Sequence, residues 1–148
     1  MLALLLGACN DDSDKPTFVP ESGNWLYMEL DVTTNTCMIS GAPPPVPTIF
    51  VLSYGGGDSF QAEIDEDLPP VTCQITETEF ECTELVEDLV VTGVDNTVIT
   101  RRTTWQGGFN SETELVGVAE SRMTCEGDYC EPTGVPCTKR STFEAEAL

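Results

Sequence analysis

Histidine is missing from this chain of 148 residues, and basic residues are few, with 6 Lys plus Arg against 26 Asp plus Glu. Without histidine the chain lacks the commonest general base and the commonest metal ligand. Its formal net charge of −20 repels the phosphates of nucleic acids and the head groups of anionic lipids. The composition therefore predicts a protein that is not an enzyme and does not bind nucleic acid.

Closely spaced cysteine pairs, which mark an all-thiolate zinc site, are also missing. The nearest approach is CEGDYC, in which four residues separate Cys125 from Cys130. The acidic stretches NDDSD and DEDLPP lack the ligand spacing of an EF-hand loop. We expect no metal and no cofactor, and the seven cysteines indicate disulfides formed in an oxidising compartment.

The N-terminal stretch MLALLLGACNDDSDKP joins a short apolar run to a cysteine and then to an acidic segment. Leu6-Gly7-Ala8-Cys9 resembles the lipobox of bacterial lipoproteins, in which small residues precede a cysteine that receives a diacylglycerol. That resemblance implies a signal peptide at 1–8, lipidation of Cys9 and a flexible tether at 9–22. No Lys or Arg precedes the apolar run, so we expect the leader to be truncated.

In this family the residue after the lipidated cysteine also indicates in which membrane the lipoprotein stays. An aspartate there often keeps enterobacterial lipoproteins in the inner membrane, whereas this chain has Asn10. The resemblance therefore implies a lipid anchor in the outer membrane of the cell envelope, and it leaves open whether the domain faces the periplasm or the cell surface.

Residues 23–148 read as a single β-domain, because apolar and polar residues alternate in short runs bounded by Gly, Pro, Asn and Asp. WLYMELDV places Leu26, Met28 and Leu30 on one face, which we expect to point inward. Comparable apolar rows are Phe60, Ala62 and Ile64; Leu115, Ala119, Met123 and Cys125; and Cys137, Phe143, Ala145 and Ala147.

About eight to ten successive strands with short connections indicate an all-β fold. We predict an antiparallel up-and-down meander barrel stapled by disulfides, because closure removes the exposed edges of a long meander. The alternative is a two-sheet β-sandwich, which gives similar strand patterns.

Six cysteines remain for disulfides once Cys9 is set aside: Cys37, Cys73, Cys82, Cys125, Cys130 and Cys137. In the hairpin VTCQITETEFECTEL, pairing Ile75 with Phe80 across four residues places Cys73 opposite Cys82 on the same face, which predicts a disulfide. Two arrangements stay open for the other four. Either Cys125 pairs with Cys137 and Cys37 with Cys130, or Cys130 pairs with Cys137 and Cys37 with Cys125.

The motif Gly23-Asn24-Trp25 opens the first strand and resembles the G-x-W entry of lipocalin-like barrels. In that family the Trp closes the base of the barrel, and an Arg or Lys of the last strands packs over its ring. The resemblance implies Gly23, Trp25 and Arg140 as the barrel base, with Lys139 and Arg122 as other candidate cations.

By analogy with this architecture we expect a lipid-anchored binding module of the cell envelope, with a small apolar or amphipathic ligand as its partner. The alternative is an interaction, inhibitor or structural lipoprotein that contacts an envelope protein and has a filled barrel. We expect the bulky inward rows to leave no cavity large enough for a long-chain lipid. The oligomeric state is left open.

Overall fold

The computed structural model describes residues 18–37, 46–90, 96–128, 130 and 134–148. Within those ranges the chain forms strands and no helix. The strands are β1 (Gly23–Asn35), β2 (Thr48–Ser53), β3 (Ser59–Glu63), β4 (Val71–Thr76), β5 (Glu79–Cys82), β6 (Leu85–Val90), β7 (Val98–Ser111), β8 (Glu114–Glu126) and β9 (Cys137–Ala147).

The nine strands form one antiparallel meander that closes on itself. Each strand pairs with the next along the chain from β1 to β5 and from β6 to β9, and β9 returns to pair with β1. A further pairing of β5 with β7 completes the ring of hydrogen bonds. The predicted up-and-down barrel is confirmed, and no sandwich is needed to explain the strands.

The fifth position of the ring is shared by two short strands. β5 pairs with the later part of β7, from Gln106 to Gly108, and β6 pairs with its earlier part, from Val98 to Thr103. β5 and β6 thus follow each other along β7 like one strand interrupted at residues 83–84. The wall consequently has eight strand positions, a size that leaves room for side chains or one small ligand.

The inward face of β1 is the opposite of the predicted one. Trp25 is fully buried and Tyr27 partly buried, whereas Leu30 is 48% exposed on the outside. Two register shifts follow, one between Glu29 and Val32 and one between Val32 and Thr34. Each shift adds one residue to β1 relative to β9. The positions that face inward therefore change from odd to even numbers at the first shift and back to odd numbers at the second.

A short segment before β1 covers the end of the barrel at which β1 begins, which we call the lower end. Pro20 is fully buried and Phe18 packs against the core. The amide of Glu21 donates to the carbonyl of Glu112 in the turn between β7 and β8, at 2.9 Å. Residues 18–22, which we assigned to the tether, therefore lie against the barrel.

Three disulfides fix the fold, and one of them was predicted. Cys73 is bonded to Cys82 in the expected register, although the turn is tighter than expected, since Thr76 and Glu79 also pair. Both arrangements for the remaining four cysteines are wrong. The bonds join Cys37 to Cys137, across a sequence separation of 100, and Cys125 to Cys130.

Candidate functional site: the barrel cavity

The barrel encloses a cavity of about 690 Å³. At the lower end of the barrel Trp25 and Leu52 are both 0% exposed, and the segment 18–22 covers this end. The exposed residues that line it, Val32, Asn35 and Thr48, lie at the opposite, upper end. The cavity therefore opens to solvent at the end of the barrel where β1 ends, and its volume lies within the range of small-molecule sites.

The lower part of the cavity is apolar and aromatic. Phe60, Phe80 and Phe109 meet at its base with ring centroids 5.6–5.7 Å apart. Tyr27 stacks on Phe143 at 5.0 Å, and Trp105 lines the same part of the wall. Edge-to-face and offset contacts of this kind hold the rings in fixed positions, so the base presents a preformed apolar surface.

Polar side chains line the cavity above these rings, and we call this set the polar belt: Glu29, Glu87, Arg101, Thr103, Ser121, Lys139 and Ser141. It crosses five neighbouring strands, β6 to β9 and β1. The β-ladders explain its continuity, because Ser121 pairs directly with Thr103 on one side and with Lys139 on the other.

Two ion pairs dominate the polar belt. The Lys139 ammonium donates to both carboxylate oxygens of Glu29, at 2.7 and 2.9 Å. The Arg101 guanidinium donates to both oxygens of Glu87, through Nε at 2.7 Å and Nη2 at 2.8 Å. This bidentate geometry is the strong form of the carboxylate contact, and the hydrogen bonds to Glu87 raise the pKa of Arg101 above its ordinary value.

Hydroxyl groups fill the belt between the ion pairs. Ser141 donates to Glu29 at 3.0 Å, and the hydroxyls of Thr103 and Ser121 lie 2.9 Å apart. In the described part of the chain every buried side-chain nitrogen and oxygen has a hydrogen-bond partner. The belt is therefore a preorganised polar surface rather than a set of loose charges.

The electrostatic environment below the belt favours neutral groups. Burial, with a smaller contribution from the Glu29 carboxylate, raises the pKa of Tyr27 to about 12. The phenol therefore stays neutral well above pH 10, where an ordinary tyrosine ionises. Tyr27 thus marks the level at which the apolar part of the cavity meets the polar belt.

The predicted barrel-base residues are not brought together. Trp25 is buried at the lower end, beside Gly23 at the start of β1, and donates from Nε1 to the carbonyl of Glu21 at 2.9 Å. It pairs across the ladder with Ala147, seven residues from Arg140, or roughly 23 Å along the strand. Arg140 is therefore too far away to cover the indole.

The other candidate cations have different partners. Lys139 is engaged with Glu29, and Arg122 forms an ion pair with Glu120. Cys9 and the rest of the leader lie outside the described residues. The six remaining cysteines all form disulfides, as predicted.

The barrel is not filled by side chains, as the alternative function would require, and the reason lies in the side chains that face inward. The bulky row of β1 points outward, and small or polar residues occupy the inner faces of the later strands, such as Thr103, Ala119 and Ser141. Sequence analysis missed the polar belt. One signal was available, since Arg101, Thr103 and Trp105 share parity on one long strand.

No cluster of residues able to hold a metal ion occurs in the ranges that the structure describes. Among the same residues no helix has the length and apolar character needed to cross a membrane. No family model, curated protein or solved structure matches the chain.

Proposed function

We propose that this protein is a lipocalin-like binding module of the cell envelope that holds one small amphipathic molecule in its barrel. The observation that carries the proposal is the cavity of about 690 Å³, closed at the lower end and divided into an aromatic base and a polar belt. An amphiphile matches this division, with its apolar part against the rings and its polar head at the belt.

Binding in this cavity follows from the burial of apolar surface. The aromatic base excludes the polar groups of a ligand, because they would lose their hydrogen bonds to water without replacement. The belt lies next to the open end and offers such replacements. A ligand would therefore enter with its apolar end first.

Native mass spectrometry tests this proposal on the chain isolated from its own cell envelope. We expect a complex with one bound amphiphile per chain, which separates when the protein is denatured. A chain that appears only at its bare mass, and stays bare when a dodecyl amphiphile is added, would contradict the proposal.

The membrane anchor is a separate part of the proposal and is supported by the lipobox-like Leu6-Gly7-Ala8-Cys9. Two or more acyl chains at Cys9 would hold the domain stably at the outer membrane. Metabolic labelling with a tagged fatty acid should mark the wild-type chain and leave the Cys9→Ala variant unmarked. Equal labelling of the two chains would rule out Cys9 as the acylated residue.

A further inference from the structure

The polar belt has no net charge although the chain as a whole carries −20. Two carboxylates, those of Glu29 and Glu87, are matched one to one by Lys139 and Arg101. Two of the six basic residues of the chain lie in this cavity.

Within each pair the carboxylate is the more buried partner. The side chains of Glu29 and Glu87 are 15% and 14% exposed, against 35% for Lys139 and 37% for Arg101. An anionic ligand that drew Lys139 away would leave the Glu29 carboxylate buried without its counter-ion, which is costly. A cationic ligand that drew Glu29 away would break the same ion pair and take the Ser141 hydrogen bond from the carboxylate, although the more exposed Lys139 would keep part of its hydration.

Hydrogen-bond donors are in excess at the belt. Lys139 directs two of its three ammonium hydrogens, and Arg101 two of its five N–H groups, to their carboxylates. Because both residues line the cavity, a ligand with oxygen acceptors could accept from the remaining donors without opening either ion pair.

We propose, on the basis of the function proposed above, that the cavity selects amphiphiles whose head group is net-neutral and rich in oxygen acceptors. A zwitterionic phosphate ester and a hydroxylated ester both satisfy this chemistry. An amphiphile with a single net charge of either sign does not. The charge of the chain opposes anions in addition, because their approach is against its overall field.

A series of ligands with twelve-carbon chains and different head groups tests this selection. Isothermal titration calorimetry would use the full chain carrying Cys9→Ala, with each ligand below its micelle-forming concentration. The ligands are dodecylphosphocholine and monolaurin, which are net-neutral, laurate as the anion and dodecyltrimethylammonium as the cation. We expect both net-neutral ligands to bind at least about tenfold more tightly than either ion.

The outcomes separate the two proposals. If laurate or dodecyltrimethylammonium binds most tightly, the head-group selection is overturned while the binding function stands. If none of the four ligands binds, the binding function fails and the selection fails with it.

A charge-neutralising variant tests the cause of the selection. Glu29→Gln keeps the size of the side chain but gives the belt a net charge of about +1, so we expect laurate to gain about tenfold in affinity. A far-ultraviolet circular dichroism spectrum and a urea unfolding transition like those of the wild type report that the variant is folded. Glu87→Gln makes the same change at the other pair and serves if Glu29→Gln does not fold.

Glu84→Gln is the matched control. Glu84 pairs with Arg102 at 2.8 Å, both side chains are exposed, and neither residue lines the cavity. The substitution changes the charge of the chain by the same amount, and laurate should gain no affinity. An equal gain in Glu84→Gln and Glu29→Gln would assign the effect to overall charge and overturn the role of the belt.

Discussion

The burial of Tyr27 makes the free energy of unfolding depend on pH in the alkaline range. Burial raises the pKa of its phenol from 10.0 to about 12. Below pH 10 the phenol is protonated in both the folded and the unfolded chain. Between pH 10 and 12 the unfolded chain ionises first, so the free energy of unfolding falls as the pH rises, by about 2 to 3 kcal/mol from this residue.

Urea unfolding of the wild type and of Tyr27→Phe between pH 9 and pH 12 measures this contribution. Phenylalanine cannot ionise, so the variant should lose less stability over this range, while other alkaline groups contribute alike to both proteins. If the two stabilities fall in parallel, Tyr27 does not carry the shifted pKa.

Trp25 and Leu30 show how far alternation of apolar and polar residues determines which side chains of β1 face inward. The pattern correctly separated the residues of β1 into two rows as far as Leu30, before the first register shift, and it did not say which row faces inward. The leucine row has more aliphatic side chains, yet Trp25 is 0% exposed and Leu30 is 48% exposed. Trp25 pairs with Phe50 of β2 on one side and with Ala147 of β9 on the other, so the direction is set by closure of the wall around β1.

At the scale of the strands, the disulfides differ in how many residues lie between the two cysteines that they join. Cys37–Cys137 ties the end of β1 to the start of β9 across 100 residues, and Cys73–Cys82 ties neighbouring strands across 9. The loop-entropy estimate gives about 4 to 5 kcal/mol for the first bond and about 2 to 3 kcal/mol for the second.

Paired substitutions by alanine should reproduce this order in urea unfolding. The double variant Cys37→Ala/Cys137→Ala should lose more stability than Cys73→Ala/Cys82→Ala. The opposite order would mean that packing of the fully buried Cys73, rather than chain entropy, decides the effect.

The difference between a bond within one hairpin and a bond between distant strands also explains which disulfide could be predicted from the sequence. Cys73 and Cys82 lie on one hairpin, so local register places them opposite each other. Cys37 meets Cys137 only because β9 returns to β1, and because the two shifts in β1 restore the parity that faces inward. Neither the closure nor the shifts leave a periodic signal in the sequence.

At the scale of the molecule, the meander was predictable and its cavity was not. Successive strands with short turns specify neighbour pairing, and the need to cover edges specifies closure. The volume inside depends on how small and large residues meet across the barrel. Gly107 and Gly117 face each other on β7 and β8, and a side chain at Gly107 would collide with the backbone of Val116.

The function proposed for the molecule depends on whether an amphiphile occupies this cavity, and the two tryptophans of the chain report on its position. Trp105 lines the apolar part of the cavity, where the ligand tail would lie, whereas Trp25 is buried at the lower end and is not among the lining residues. Bromine on a ligand tail quenches an indole that it contacts. Quenching therefore distinguishes binding inside the barrel from binding elsewhere.

The most direct measurement is a titration of the full chain, carrying Cys9→Ala, with dodecylphosphocholine brominated on its tail. We predict quenching that saturates at one ligand per chain and is largely lost in Trp105→Phe, in which only Trp25 emits. Absence of quenching in the chain that keeps Trp105, or equal quenching in the two chains, would contradict binding in the cavity.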